Sequence, residues 1–175
     1  MMEGFLEQIV GRAATPAGER LFDLRDEKEA RPMEEERATA FHHTTAQLLF
    51  MAARAQRDIQ TAVAFLTTRV KSPDEDDWGK LKRVLKYLNG TKYLKLSISM
   101  ENLGILKWYV GGSQNVHWDC KGHGGAMFTM GKGAVSSYSK VKLNTRSSTE
   151  TELVVADIYA GNAMVTILYG KSRIQ

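Results

Sequence analysis

The chain has 175 residues, of which 43% are hydrophobic, so it can bury the core of one ordinary domain or of a small domain with a helical extension. Its single cysteine, Cys120, excludes an internal disulfide framework, and the opening stretch MMEGFLEQIV lacks the basic leader and apolar core of a secretory signal. We therefore expect a soluble intracellular chain, in the cytoplasm or nucleus, with no membrane partner.

The formal net charge of +4 is unevenly distributed. Residues 1–36 contain ten acidic and five basic residues, a balance of −5, so the remainder carries +9. A basic body is typical of proteins that neutralise nucleic-acid phosphates, but an excess of this size also occurs on ordinary solvated surfaces. Charge alone leaves both interpretations open.

Residues 1–35 are charged, poor in aliphatic side chains and interrupted by Pro16, Gly18 and Pro32. This composition predicts a linker or a weakly ordered tail. Residues 36–90, in contrast, carry apolar side chains at helical spacing and predict a helical segment.

Three helices are expected in the helical segment. The first covers residues 36–58, and the second covers 58–70 with Asp58 as its N-cap, although β-branched residues leave a strand open for this stretch. The third begins with Ser72 as N-cap, Pro73 in the first helical position and Glu75 completing a capping box, and it ends at Asn89-Gly90. Its outer face is basic and comprises Lys80, Lys82, Arg83 and Lys86.

Residues 91–175 change to a two-residue periodicity that predicts strands. We expect one hairpin from 93–100 and 105–112, and a second from 124–131 and 134–143 joined around Gly131-Lys132-Gly133. A helix follows from about Ser148, and Gly161-Asn162 is expected to weaken or interrupt it. At its start, either Ser147 with Glu150 or Thr149 with Glu152 has capping-box spacing.

Two histidine motifs raise the question of a metal site. His42 and His43 are adjacent on a predicted helix and lie about 100° apart around its axis, so they cannot chelate one ion. His117, Cys120 and His123 form H-x-x-C-x-x-H, but this spacing lacks the paired clusters of structural zinc sites, so we expect no zinc.

Four stretches in this order resemble a known family: HTTAQLLFMAARAQRDIQTAVAFLTTRV, DEDDWGKLKRVLKYLNGT, GHGGAMFTMGKGAVSSYSK and LNTRSSTETEL. Together they look like the end of a copia-type retrotransposon Pol polyprotein, from the reverse transcriptase connection into the RNase H domain, over roughly residues 13–160. The resemblance implies a ribonuclease H-like fold that hydrolyses RNA in RNA–DNA hybrids with two Mg²⁺ ions held by converging carboxylates.

The family's metal-binding acids are only partly matched. Its SSTEAE-like motif assigns Glu152 as a catalytic metal ligand, but its WYVDGS-like strand reads WYVGGS here and places Gly111 at the first aspartate. The two later acidic motifs are not present before the chain ends in ILYGKSRIQ. Asp119 and Asp157 are candidate replacements, but a turn explains the first better and a solvated helix surface explains the second better.

We therefore expect an α/β (α+β) chain in which a helical connection segment precedes a truncated RNase H-like unit with a three- to four-strand meander and one helix. The expected function is that of an inactive retrotransposon remnant with a vestigial Glu152 and no cofactor. The alternative is a non-catalytic module that binds an RNA–DNA hybrid or other nucleic acid through Lys80, Lys82, Arg83, Lys86 and Lys107.

Overall fold

The computed structural model describes residues 11–24, 30–101 and 105–172. The chain divides into two compact units, Met1–Leu96 and Ser97–Gln175. The first is helical, and the second combines antiparallel strands with one long helix. The predicted mixed α+β class is confirmed. Within the described ranges, no helix combines the length and the apolar character needed to cross a membrane.

The first unit contains α1 (Glu35–Arg54), a 3₁₀ turn (Arg57–Ile59), α2 (Gln60–Thr67) and α3 (Glu75–Thr91). The apolar stripe of each helix faces a common core, as the helical spacing predicts. The largest fully buried side chains of this core are Phe41, Leu48, Ile59, Val63, Phe65, Leu66, Leu81, Val84 and Leu85.

Part of the predicted N-terminal tail also belongs to this core. Leu21 is buried, and the Phe22 ring meets the Phe65 ring edge-on with centroids 5.8 Å apart. Residues 11–24 form no regular element, yet they cover one side of α3. Composition did not predict this packing, because a few apolar contacts are enough to hold a segment whose other side chains are polar.

The second helix begins differently from the prediction. Asp58 lies inside the 3₁₀ turn and caps no helix, since α2 starts after Ile59 without a side-chain cap. The Asp58 carboxylate instead accepts a hydrogen bond from the Tyr87 hydroxyl, which raises the pKa of Tyr87 to about 12. The acid therefore ties this turn to α3.

The start of α3 is also two residues later than the sequence suggests. Asp74, not Ser72, is the N-cap: its carboxylate accepts from the Asp77 amide at 2.8 Å, and the Asp77 carboxylate accepts from the Asp74 amide at 3.1 Å. Two aspartates thus form the capping box expected of Ser72 and Glu75. Glu75 takes no part in this cap, and its carboxylate accepts from Arg37 Nη1 at 2.6 Å and from Arg37 Nη2 at 3.1 Å. The helix continues through Asn89-Gly90 to Thr91.

The sheet of the second unit has the order β2 (Lys107–Ser113), β3 (Gly122–Thr129) and β5 (Ser136–Leu143), all antiparallel. The second predicted hairpin is therefore correct. The first is wrong, because β1 (Ser99–Met100) pairs with β4 (Gly131–Lys132) in a separate two-stranded ribbon. Gly131 has φ +155°, and a Cβ there would lie 2.8 Å from Ser99 O, so glycine permits this pairing.

The final helix, α4 (Ser148–Ser172), continues through Gly161-Asn162 without interruption. The expected break does not occur because one exposed glycine costs a helix only about 1 kcal/mol relative to alanine. The buried side chains Thr151, Val155 and Tyr159, one turn apart, anchor the helix upstream of that position.

We predict that Asp77→Asn destabilises the first unit by about 2 kcal/mol, because the substitution weakens the cap and removes the carboxylate that Arg69 Nε contacts at 2.9 Å. Urea unfolding measures the change. Asp76→Asn, on the same turn but partly exposed beside Lys80, is the control and should cost less than about 1 kcal/mol. Equal effects of the two substitutions would contradict the importance of the buried cap.

Candidate functional site

The start of α4 is fixed by a capping arrangement that leaves Glu152 unused. The Glu150 amide donates to Ser147 Oγ at 3.1 Å, and the Glu150 carboxylate accepts from the Arg146 amide at 2.7 Å. Ser147 and Glu150 are thus the capping pair, rather than Thr149 and Glu152. Thr151 adds a hydrogen bond from its hydroxyl to Ser147 O at 2.9 Å.

Glycines beneath α4 allow the helix to approach the sheet closely. A Cβ at Gly112 would lie 2.9 Å from both Thr151 Cγ2 and Val155 Cγ2, and a Cβ at Gly124 would lie 2.5 Å from Val155 Cγ2. Real side chains do not tolerate such distances, so the helix occupies space that only glycine leaves free. Thr151 and Val155 are consequently buried.

Glu152, the predicted metal ligand, follows buried Thr151 by one residue and is therefore turned about 100° around the helix. Its side chain is exposed. Gly112 faces α4, so the alternation of β2 turns Gly111 towards the opposite side of the sheet. A Cβ at Gly111 would meet nothing within 4 Å. The two positions that the resemblance pairs are therefore on different faces of this arrangement.

The candidate replacement acids have other environments. The Asp119 carboxylate lies 2.9 Å from Lys121 Nζ in the loop before β3, and Asp157 is exposed on α4. Across the described ranges, no three or more histidine, cysteine, aspartate and glutamate side chains gather in a way that could hold a metal ion.

The predicted basic face is divided between the units and partly engaged. Lys80 contacts Asp76 at 3.0 Å and lies over the Phe65 ring, so its side chain is only 14% exposed. Arg83 donates to Thr15 Oγ1 at 3.0 Å, and Lys86 lies against Gly11. Lys82 is exposed on the same helix. Lys107 belongs to β2 of the second unit, with Glu101 at 3.8 Å.

Two histidines and a serine form a polar cluster next to the sheet of the second unit. His117 Nε2 lies 3.3 Å from His123 Nδ1, and His123 Nε2 lies 2.7 Å from Ser139 Oγ on β5. Burial, and secondarily the neighbouring His117, lower the pKa of His123 to about 4. The His123 ring is therefore neutral near neutral pH.

Sequence reasoning considered His117 and His123 only through their spacing and missed Ser139 completely. The pairing of Gly125 with Ser139 places this serine on the sheet face away from α4, next to His123. Only strand register could have revealed it.

No protein-family model matches the chain, and no significant match is found among curated proteins or solved structures.

We predict that Gly124→Ala destabilises the second unit by about 1–3 kcal/mol, because its methyl group would overlap Val155 and Leu143 in an already filled space. Gly111→Ala is the matched control in the neighbouring strand and should change stability by less than about 0.5 kcal/mol. Urea unfolding followed by near-ultraviolet circular dichroism distinguishes them, because Trp108 stacks on Phe128 and Tyr138 in this unit. Equal tolerance of both alanines would refute the close approach.

Proposed function

We propose that this chain is a remnant of a copia-type retrotransposon Pol polyprotein, with connection helices followed by an RNase H-like unit that does not hydrolyse RNA–DNA hybrids. The observation that carries the proposal is the exposed setting of Glu152 opposite a glycine. It is exposed at the start of α4, while the strand position that the family fills with aspartate is Gly111, which is turned away from this helix.

The chemistry explains why this setting of Glu152 matters. Hydrolysis by two metal ions requires both ions to sit about 4 Å apart, where they stabilise the attacking and the leaving oxygen. Several carboxylates must converge to hold two dications against their mutual repulsion. One exposed glutamate cannot supply that field, so hybrid hydrolysis is not expected from this unit.

The arrangement of elements supports the proposed origin. Three antiparallel strands precede a helix that packs across β2 and β3, and glycines at 112, 122 and 124 lie beneath that helix. The RNase H-like expectation derived from the sequence motifs has the same order of meander and helix. These glycines therefore have a packing role under this proposal.

Nucleic-acid binding without hydrolysis is the second candidate. The observation in its favour is the exposure of Lys82 and Arg83 on neighbouring positions of α3. The engagement of Lys80 by Asp76 and of Arg83 by Thr15 weakens it, because cations already held by the chain gain less from phosphates. We therefore place this candidate after the inactive RNase H-like remnant.

The test is a cleavage assay with a hybrid labelled in its RNA strand, in Mg²⁺ and separately in Mn²⁺. We expect no cleavage above buffer, and we expect Glu152→Gln to behave like the unchanged chain. Metal-dependent cleavage that Glu152→Gln abolishes would overturn the proposal. A salt titration of hybrid binding reports on the second candidate, because phosphate contacts lose affinity steeply as salt increases.

We further predict that Gly111→Asp folds and remains inactive. The open space at this position accommodates the side chain, but the new carboxylate points away from α4 and gains no converging partners. Circular dichroism and the same cleavage assay measure both outcomes, with Gly111→Asn as the uncharged control. Cleavage by the aspartate variant alone would show that a single acid restores the site.

A further inference from the structure

A pocket of about 270 Å³ lies where residues 18–21 pass over α3 in the first unit. Its charged lining residues are three cations, Arg20, Lys80 and Arg83, and one acid, Asp76. Lys80 Nζ contacts the Asp76 carboxylate at 3.0 Å and also donates to Asp23 O, so this cation and this acid balance each other. The lining therefore has a net charge of +2, which comes from two guanidinium groups.

The wall that α3 contributes to the pocket contains Gly79. Glycine in a helix interior costs about 1 kcal/mol relative to alanine. The packing of the chain does not require it here, because a Cβ at Gly79 would meet no described atom within 4 Å. Its structural consequence is open space, one helical turn from Arg83 on the same face of the helix.

The Arg83 guanidinium is held in place by the chain itself. Its Nη2 donates to Thr15 Oγ1 at 3.0 Å, and the Thr15 hydroxyl donates in turn to Ala17 O at 2.8 Å. Thr15 is neutral and occupies one of the five guanidinium N–H groups, so it limits where Arg83 can reach without neutralising its charge. This restraint disfavours contacts with phosphates elsewhere, but it lowers the cost of ordering the side chain at this one place.

Arg20 supplies the second guanidinium, because it directly precedes Leu21, whose buried side chain anchors this segment beside α3. No carboxylate of the described residues forms an ion pair with Arg20 or Arg83. Guanidinium groups bind phosphate through pairs of parallel N–H···O bonds. Two of them match the charge of a phosphomonoester, which is about −1.5 to −2 near neutral pH, better than the single charge of a phosphodiester.

We propose that Arg20 and Arg83 bind a dianionic phosphate group in this pocket, carried by a small phosphomonoester or free as inorganic phosphate, and that Gly79 provides the space for it. Lys80 holds the Asp76 carboxylate and so reduces its repulsion of the ligand. The pocket is smaller than the about 300–1,000 Å³ of sites for drug-sized ligands, which suits one phosphate group. The site does not depend on the proposed RNase H-like origin.

Nuclear magnetic resonance titration of the full chain tests the proposal with three probes: inorganic phosphate, methyl phosphate and dimethyl phosphate. We expect both dianions to shift the backbone amide signals of residues 18–21 and 79–83. Dimethyl phosphate carries a single charge and should bind at least about tenfold more weakly. Binding of inorganic phosphate without methyl phosphate would identify free phosphate as the ligand. Binding of neither dianion, or equal binding of dimethyl phosphate, would overturn the proposal.

Charge variants locate the site. Arg20→Gln and Arg83→Gln should each weaken binding of inorganic phosphate at least about tenfold, because each removes a charge-assisted contact. Lys82→Gln removes the same charge from an exposed position of α3 that does not line the pocket. This control should change the affinity less than about threefold, since physiological salt screens exposed charges.

Gly79→Leu tests the pocket without a change of charge. Its side chain enters space that contains no described atom, and leucine favours a helix more than glycine does, so urea unfolding should show no loss of stability. Phosphate binding should nevertheless weaken at least about tenfold, because leucine fills the space that the ligand needs. Binding by Gly79→Leu with unchanged affinity, or equal losses in Lys82→Gln and Arg20→Gln, would refute this site.

Discussion

The close approach of α4 to β2 and β3 is the constraint on which the second unit depends. Val155 occupies space that Gly112 and Gly124 leave free, and this contact sets the distance between helix and sheet. At that distance the Tyr159 ring reaches Tyr138, which stacks in turn on Trp108. The aromatic cluster and the buried face of α4 therefore depend on glycine at positions 112 and 124.

The first unit depends on a different kind of interaction, a buried polar one. The Asp77 carboxylate is almost fully enclosed, where desolvation raises its pKa despite the Asp74 amide and the Arg69 guanidinium that favour its charged form. Enclosing a carboxylate in this way is costly unless all its partners are in place. The apolar core holds the three helices together, whereas this acid fixes where α3 begins.

Much of the fold could be predicted because apolar periodicity reports directly on burial. The helices of the first unit and the β3–β5 hairpin follow from spacing, but the exact cap of α3 does not, since serine and aspartate are nearly equivalent there and only packing chooses. The short β1–β4 ribbon joins segments far apart in sequence, so local pattern could not reveal it. Ser139 was missed for the same reason, because only strand pairing brings it next to His123. The family motif identified Glu152, but it did not predict that this side chain is exposed.

Lys107 is the first residue of β2, which lies at the edge of the three-stranded sheet. An edge strand has unpaired backbone groups that can pair with another extended chain. Tyr109 and Val110 on this strand also expose apolar surface. A lysine at the beginning of such a strand discourages pairing with another chain, because its charge would lose hydration in the new sheet. Lys107, which the sequence predicts to contact phosphates, thus also occupies a position where lysine disfavours strand pairing between copies.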